Sequence, residues 1–180
     1  MKKSETTLAG VLLLEPTVFT DVRGFFLESY NERIFAELGI PEHFVQDNHS
    51  YSTRNVVRGL HYQVERPQGK LIRAVTGAIL DVALDLRRSS PTFGKWQTFV
   101  LSAENKHMLW IPAGCAHGFR VLSDNANVLY KATAFYAPEQ ERTVAWNDAQ
   151  LKIDWQLDGP PIVSAKDQRA TSFEEAEKFD

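Results

Sequence analysis

Apolar residues recur at every second position through the middle of the chain, which is the period of a β-strand rather than of a helix. In the clearest run Leu80, Val82, Leu84 and Leu86 alternate with Asp81, Ala83, Asp85 and Arg87. This alternation predicts a half-buried strand. Further strand-like runs, separated by turn-forming residues, are Leu71–Thr76, Lys95–Leu101, His107–Ile111, Gly118–Leu122 and Asn127–Ala134. Short strands at this even spacing predict an all-β sandwich or barrel closed as a jelly roll.

Two short segments have the pattern of helices. Asn31 can cap a helix through Ile34, Phe35 and Leu38 that Gly39 would end. Near the C-terminus, Ser172 and Glu175 have the spacing of a capping box.

We expect a single domain over residues 1–180, with an N-terminal arm of about residues 1–45 that either packs on its own body or exchanges with a second subunit.

Composition narrows the class of protein. The 180 residues are 43% hydrophobic and carry a net charge of −3, so no broad basic field favours nucleic acid as a partner. The apolar run from Leu8 to Leu14 is broken by Gly10 and ends at Glu15-Pro16, which is typical of a strand rather than of a signal peptide or membrane span. Cys115 is the only cysteine. These features favour a cytoplasmic protein.

Four side chains have the chemistry of proton transfer next to a carbonyl. His61, at the edge of an apolar run, has the reference pKa of a general base, and Asp167 lies in a polar turn from which it could orient an imidazole. Lys70 could stabilise an oxyanion, and Tyr130 could donate a proton or fill space. Taken singly, each also fits a structural role.

Any phosphate must be held by side chains, because the chain has no glycine-rich phosphate loop. Arg23, Arg58 and Lys166 are candidates, and Phe25 offers an aromatic face for a base. A Cys115–His117 nucleophile is also conceivable, but a small buried thiol is the commoner role of a lone cysteine, and we interpret Cys115 in that way.

A catalytic metal is a weaker alternative. Small barrels often bind a metal through a His-x-His pair, but here His61-Tyr62-Gln63 lacks the second imidazole. Zinc or iron would have too few imidazole or thiolate ligands.

Several long motifs, in the right order along nearly the whole chain, resemble those of the dTDP-4-dehydrorhamnose 3,5-epimerase family: Phe44–Ser50, Arg58–Gln63, Trp110–Phe119, Glu141-Arg142 with Trp146–Asp148, and Ser164–Gln168. The resemblance implies a cupin-type jelly roll, usually a homodimer, that acts without metal or organic cofactor. It also implies a substrate like dTDP-4-dehydro-6-deoxy-glucose, whose 4-keto group makes the C3 and C5 protons acidic.

By this resemblance His61 is the base, Asp167 its orienting partner, Lys70 the enolate stabiliser and Tyr130 the opposing acid. The positions matching the family's nucleotide-sugar contacts are Arg23, Glu28, Gln46, Asp47, Asn48, Arg58, His117, Glu141 and Lys166, with Arg23 a candidate to act across a dimer. The chain has Phe135-Tyr136 where relatives commonly have two tyrosines. That difference motivates a rival, a single-centre epimerase or one that uses another nucleotide such as CDP. A metal-dependent cupin and a non-catalytic sugar-binding cupin are more remote alternatives.

Overall fold

Two antiparallel sheets make up most of the protein. A computed structural model describes residues 1–180. Its strands are β1 (Lys2–Glu5), β2 (Leu12–Glu15), β3 (Val18–Asp21), β4 (Gly24–Leu27), β5 (Gln46–Thr53), β6 (Val56–Gln63), β7 (Lys70–Thr76), β8 (Ala78–Asp85), β9 (Trp96–Ser102), β10 (Met108–Ile111), β11 (Cys115–Val121), β12 (Asn125–Ala132), β13 (Glu141–Thr143) and β14 (Ile162–Val163). Helix α1 spans Glu32–Glu37, and short 3-10 helices span Pro138–Gln140 and Asp167–Arg169.

The strand order is that of a two-sheet jelly roll. The first sheet has the order β1-β2-β10-β7-β12-β5, and the second has β13-β6-β11-β8-β9 with β14 added beside β6. Strands β3 and β4 form a separate hairpin. All pairings are antiparallel except that of β14 with β6. The predicted fold class is confirmed, and the five predicted strand runs correspond to β7, β9, β10, β11 and β12 with ends shifted by up to three residues.

The main core lies between the two sheets. Alternate residues of both sheets meet there, as a strand period of two requires. The largest buried cluster takes Ile72, Val128 and Leu109 from the first sheet and Phe119 and Leu101 from the second. Since these side chains fill only part of the interior, the polar residues at the open end can form a site.

The outer faces of both sheets are also covered. Helix α1 lays Phe35 on the first sheet, against Leu14, Leu71 and Trp110. The C-terminal segment lays Trp155 and Phe173, among others, on the second sheet. Because both faces are covered, β8 is buried on both sides, and the prediction of a half-buried strand is wrong. Val82 and Leu84 pack under the C-terminal segment, whereas Ile79, Asp81 and Ala83 face the interior.

One of the two helix predictions holds. Asn31 caps α1 by accepting hydrogen bonds from the backbone N–H groups of Arg33 and Ile34, and Gly39 follows with a φ of +91°. Ser172 and Glu175 do bond to each other as in a capping box, but only a turn follows. The chain reverses there because Phe173 and Ala176 are drawn into the cluster on the second sheet.

The hairpin β3–β4 projects its apolar side chains outward. Phe19, Phe25 and Phe26 are each at least 60% exposed, and Val22 at its tip is fully exposed. Such a ribbon of exposed aromatic residues is characteristic of a surface that contacts a partner. No helix in the structure has the length and apolar character needed to cross a bilayer.

Candidate active site

A cavity of about 320 Å³ opens between the two sheets. Its first wall is formed by inward-facing residues of β5, β7 and β12, and its second by those of β6 and β11. The lining residues are Gln46, Asn48, Ser50, Arg58, His61, Tyr62, Gln63, Gln68, Lys70, His117, Gly118, Phe119, Tyr130, Tyr136 and Glu141. Most are polar, as expected for a site that binds a polar ligand.

Two glycines bring the histidines side by side. Strands β6 and β11 approach so closely that a Cβ on Gly59 would lie 2.5 Å from the Gly118 Cα, and one on Gly118 would lie 2.6 Å from the Arg58 carbonyl oxygen. Gly59 also has a φ of +113°, a conformation that other residues rarely adopt. In the resulting register His61 lies opposite His117, and both rings line the cavity.

His61 is oriented by a carboxylate from the far end of the chain. Its Nε2 lies 2.6 Å from Asp167 Oδ1, while Asp167 Oδ2 accepts a 3.4 Å hydrogen bond from the Gly59 N–H. Burial disfavours the Asp167 carboxylate, but the hydrogen bonds from His61, Gly59 and Ser164 outweigh it and hold its pKa below the ordinary value. An Nε2–H that donates to a carboxylate leaves Nδ1 with a lone pair, so Nδ1 is the atom that can accept a proton.

Lys70 places a buried cation in the same cavity. Lys70 is only 7% exposed, and its Nζ donates a 3.3 Å hydrogen bond to the His61 carbonyl oxygen. Burial lowers the pKa of the ammonium to about 8, against the attraction of Glu141 and Asp81. A cation with few water neighbours stabilises a developing negative charge strongly, because little solvent screens it.

Tyr130 faces the histidine from the opposite wall. It belongs to β12 of the first sheet, whereas His61 belongs to β6 of the second. Burial, reinforced by the Glu141 carboxylate and opposed by Arg58, raises the pKa of the Tyr130 phenol. The phenol is therefore protonated at neutral pH and can donate its proton.

Glu141 organises the mouth of the cavity. It pairs with Lys166 and accepts a 2.7 Å hydrogen bond from the Tyr136 hydroxyl. Burial opposes ionisation, but these two partners outweigh it and lower the pKa of Glu141. The Tyr136 backbone N–H in turn donates to Gln46 Oε1 at 2.8 Å, so the tyrosine is held at two points.

His117 has a carboxylate partner of its own. Its Nε2 lies 2.8 Å from Asp81 Oδ2, and the Asp81 side chain is fully buried. The cavity therefore contains two imidazole–carboxylate pairs side by side.

The structure brings most of the predicted site residues together. Within or against the cavity lie His61, Lys70, Tyr130, Asp167, Gln46, Asn48, Arg58, His117, Glu141 and Lys166. Asp47 points away and pairs with Lys131. Arg23, Phe25 and Glu28 lie in the N-terminal arm, in or just after its exposed hairpin β3–β4, and do not line the cavity of this chain. Cys115 is a buried free thiol, as interpreted.

Some lining residues were missed from the sequence. Gln63, Gln68 and Tyr136 line the cavity, and Asp81 stands behind it. An aspartate between apolar neighbours in the middle of strand β8 was a usable signal for Asp81. Phe135, which motivated the single-centre rival, has a 64% exposed side chain outside the lining; its neighbour Tyr136 takes the place in the cavity.

The side chains do not form an evident metal site. No group of three or more His, Cys, Asp or Glu residues has an arrangement that could hold a metal ion.

Comparison with known proteins identifies the relatives of this chain. The family model described as dTDP-4-dehydrorhamnose 3,5-epimerase matches residues 5–175. The chain is 57% identical to the enzyme of that name from Pseudomonas aeruginosa, and 52% identical to the one from Shigella flexneri, over 99% of each chain. It superposes on the Legionella pneumophila 3,5-epimerase in complex with dTDP-4-keto-L-rhamnose with a TM-score of 0.95, at 45% identity, covering 98% of this chain and 94% of that one.

A relative with narrower specificity has the same fold. The 3'-monoepimerase from Streptomyces bikiniensis, in complex with dTDP-quinovose, superposes with a TM-score of 0.87 at 32% identity, covering 93% of this chain and 85% of that one.

The cupin-type jelly roll, its polar cavity and these relatives together define the class of the protein, a carbohydrate epimerase that acts on a nucleotide-linked keto sugar. The match over nearly the whole chain makes the assignment specific. The chain belongs to the dTDP-4-dehydrorhamnose 3,5-epimerase family.

Proposed function

We propose that this protein converts dTDP-4-dehydro-6-deoxy-glucose to dTDP-4-dehydro-L-rhamnose by inverting C3 and C5. The observation that carries the proposal is the opposition of His61 and Tyr130 on facing walls, with Lys70 between the sheets in the same cavity. Inversion at a carbon requires that a proton leave one face and another arrive at the opposite face. Two proton-transfer groups on opposite walls meet this requirement.

Each inversion proceeds in two proton transfers, one away from the carbon and one back to it. His61 Nδ1 takes the proton from the carbon next to the ketone, and the C–H electron pair moves into a C=C bond as the carbonyl becomes an enolate. Asp167 stabilises the imidazolium through Nε2, and the Lys70 ammonium stabilises the enolate oxygen. Tyr130 then gives its proton to the opposite face of the carbon, and the carbonyl re-forms. Before the next inversion the His61 imidazolium releases its proton to solvent and the Tyr130 phenolate takes one from solvent, so that both residues return to their starting states.

The nucleotide half of the substrate is bound by the polar residues at the mouth. Arg58 and Lys166 supply positive charge for the diphosphate, and Gln46, Asn48, His117 and Glu141 supply hydrogen-bonding groups. The side chain of Asp47 points away from the cavity, so we propose that Asp47 contacts the nucleotide through its backbone in β5, between Gln46 and Asn48.

The remaining predicted contacts require a second copy of the chain. Arg23, Phe25 and Glu28 are in the arm, away from the cavity of their own chain. We propose a homodimer in which the β3–β4 hairpin of each arm extends to the partner's cavity, so that Arg23 contacts the diphosphate and Phe25 the base. The exposure of Phe19, Phe25 and Phe26 supports this arrangement, because a monomer would leave them in water.

Mixed dimers test the exchange. The variants Arg23→Ala and His61→Ala are expected to be inactive separately, but a dimer of one each has one cavity with an intact body and an intact partner arm. In a random equal mixture about half of the dimers contain one copy of each variant, and one of the two cavities in such a dimer is intact. Mixing therefore restores about a quarter of wild-type activity. If Arg23 acts within its own chain, mixing restores nothing.

Mass spectrometry in deuterated water tests the reaction. The 4-keto-6-deoxy-glucose substrate is supplied as both its dTDP and its CDP form, and label is located by fragmentation. Deuterium at C3 and C5 of the dTDP sugar is the expected result. Label at one carbon identifies a single-centre epimerase, faster reaction of the CDP form reassigns the nucleotide, and no label with either form refutes the proposal.

We expect the enzyme in the cytoplasm, consistent with its single free cysteine.

A further inference from the structure

Asp81 is a buried carboxylate that the proposed reaction does not yet use. It lies on the inner side of β8 beside Ile79 and Ala83, and none of its surface is exposed. Its Oδ2 accepts from His117 Nε2 at 2.8 Å, whereas its Oδ1 is buried with no hydrogen-bond partner. A buried carboxylate is costly unless it is paired, so an oxygen left unpartnered needs a reason.

Asp81 lies beside a hydrogen-bond donor and near a cation. The His117 ring contacts it directly through Nε2, and the ammonium of Lys70, buried in the same interior, is attracted to Glu141 first and to Asp81 second, against the burial that lowers its pKa. The other polar or titratable groups around Lys70 and His117 are Cys115 of β11, His61 and Arg58 of β6, Tyr130 of β12 and Glu141 of β13. Asp167 is engaged by His61, and Glu141 by Lys166 and Tyr136.

We propose that Asp81 is a positioning residue: its buried carboxylate holds the Nε2–H tautomer of His117 and is the fixed counter-charge that keeps Lys70 an ammonium within the closed cavity. This inference rests on the proposed function of the site.

The consequence for His117 is chemical as well as geometric. With Nε2–H donated to Asp81, Nδ1 is the ring atom left for the ligand, just as Nδ1 of His61 is left by Asp167. For Lys70 the consequence is the pH range in which the enzyme is active, because a lysine that has lost its proton cannot stabilise an enolate. Because the dedicated carboxylate is inside the barrel, the charge is present whether or not substrate is bound.

The test is Asp81→Asn, which keeps the size of the side chain and removes its charge. Since burial lowers the pKa of Lys70 to about 8, we expect the wild-type kcat profile to have an alkaline limb near pH 8. We expect that limb to lie about 1 pH unit lower in Asp81→Asn, since one neighbouring opposite charge shifts a titration by that amount or more. At pH 8 this corresponds to a several-fold loss of kcat beyond any uniform loss across the profile.

Asp85→Asn is the matched control. Asp85 lies on the same side of the same strand and is equally buried, but its partners are Arg87, Ser90 and Thr92, away from the cavity. The control is expected to keep the alkaline limb of the wild type. An unmoved limb in Asp81→Asn, or an equal shift in both variants, overturns the proposal.

A second measurement does not depend on activity or on the folding of a variant. In ¹⁵N-histidine-labelled wild-type protein, the His117 ring is expected to carry its proton on Nε2 at high pH, with Nδ1 unprotonated. A proton on Nδ1 instead overturns the proposal even if the enzyme is active. Conversely, a wild-type protein that incorporates no deuterium into either substrate refutes the epimerase function, and the tautomer still reports on Asp81 alone.

Discussion

Replacing Asp167 by Asn removes the group that orients the base, and no orientation of the new amide restores it. Among the hydrogen bonds that the wild-type carboxylate accepts are those from His61 Nε2 and from the Gly59 N–H. If the amide oxygen faces His61, the NH₂ group opposes the Gly59 N–H. If the oxygen faces Gly59, the NH₂ group donates to Nε2, and the imidazole must then carry its proton on Nδ1, the atom that should accept one from substrate.

The magnitude follows from the hydrogen bond itself. The 2.6 Å contact is buried on the Asp167 side, and a hydrogen bond to a charged group contributes roughly 1.5–3 kcal/mol. At 1.36 kcal/mol per factor of ten, its loss alone lowers the rate by about 10- to 150-fold. The wrong tautomer adds to this, so we expect kcat to fall by more than about 100-fold, with KM within about threefold of wild type because Asp167 does not line the cavity.

The assay is single-turnover incorporation of deuterium at C3 and C5, followed by mass spectrometry, with nucleotide binding measured by calorimetry. Gln168→Asn, whose side chain bonds only to the Val163 carbonyl next to the same segment, controls for disturbance of the C-terminal turn. A loss of less than tenfold in Asp167→Asn, or an equal loss in the control, would refute the reasoning.

Three further variants test separate parts of the structure. Tyr130→Phe should slow net inversion at least tenfold more than it slows deuterium exchange into recovered substrate; equal slowing would show that Tyr130 is not the acid. Lys70→Arg should lower kcat but abolish the alkaline limb near pH 8, because a guanidinium stays protonated there; a limb that persists would belong to another group. Asp85→Asn should reduce the free energy of unfolding by about 2 kcal/mol at pH 7, because hydrogen bonds from Arg87, Ser90 and Thr92 outweigh burial and hold the Asp85 pKa at about 2. A carboxylate with a depressed pKa stabilises the fold above pH 4 and loses that contribution as the pH falls towards 2, so the variant should show a flatter acid-unfolding curve, whereas the exposed Asp124→Asn should match the wild type.

The fold could be predicted from the sequence where local rules and tertiary structure agree. The two-residue period identified the strands, and Asn31 and Gly39 delimited α1, because caps and periodicity are local properties. The prediction was wrong where distant segments decide. Nothing local shows that the C-terminal segment covers β8, or that Phe173 is drawn onto the second sheet instead of into a helix.

The candidate site divides in the same way. His61, Lys70 and Tyr130 were found because a family resemblance gave each a role, and the structure places them around one cavity. Asp81 was missed because the alternation of β8 assigned the aspartate side to solvent, whereas the second sheet turns that side inward. Arg23 and Phe25 cannot be tested in one chain, since their proposed ligand contacts lie in another.

The sequence separation of 106 residues between His61 and Asp167 determines when in synthesis the base becomes oriented. His61 is made early, but its partner is brought in by β14, which pairs in parallel with Val56 and Val57, and by the 3-10 helix that follows. A chain still on the ribosome has its barrel strands but not the carboxylate that orients its base. Orientation of the base thus comes later in synthesis than the barrel strands, and a protease that cuts between β14 and Asp167 would separate His61 from its carboxylate and also detach the part of the segment that places Phe173 on the second sheet.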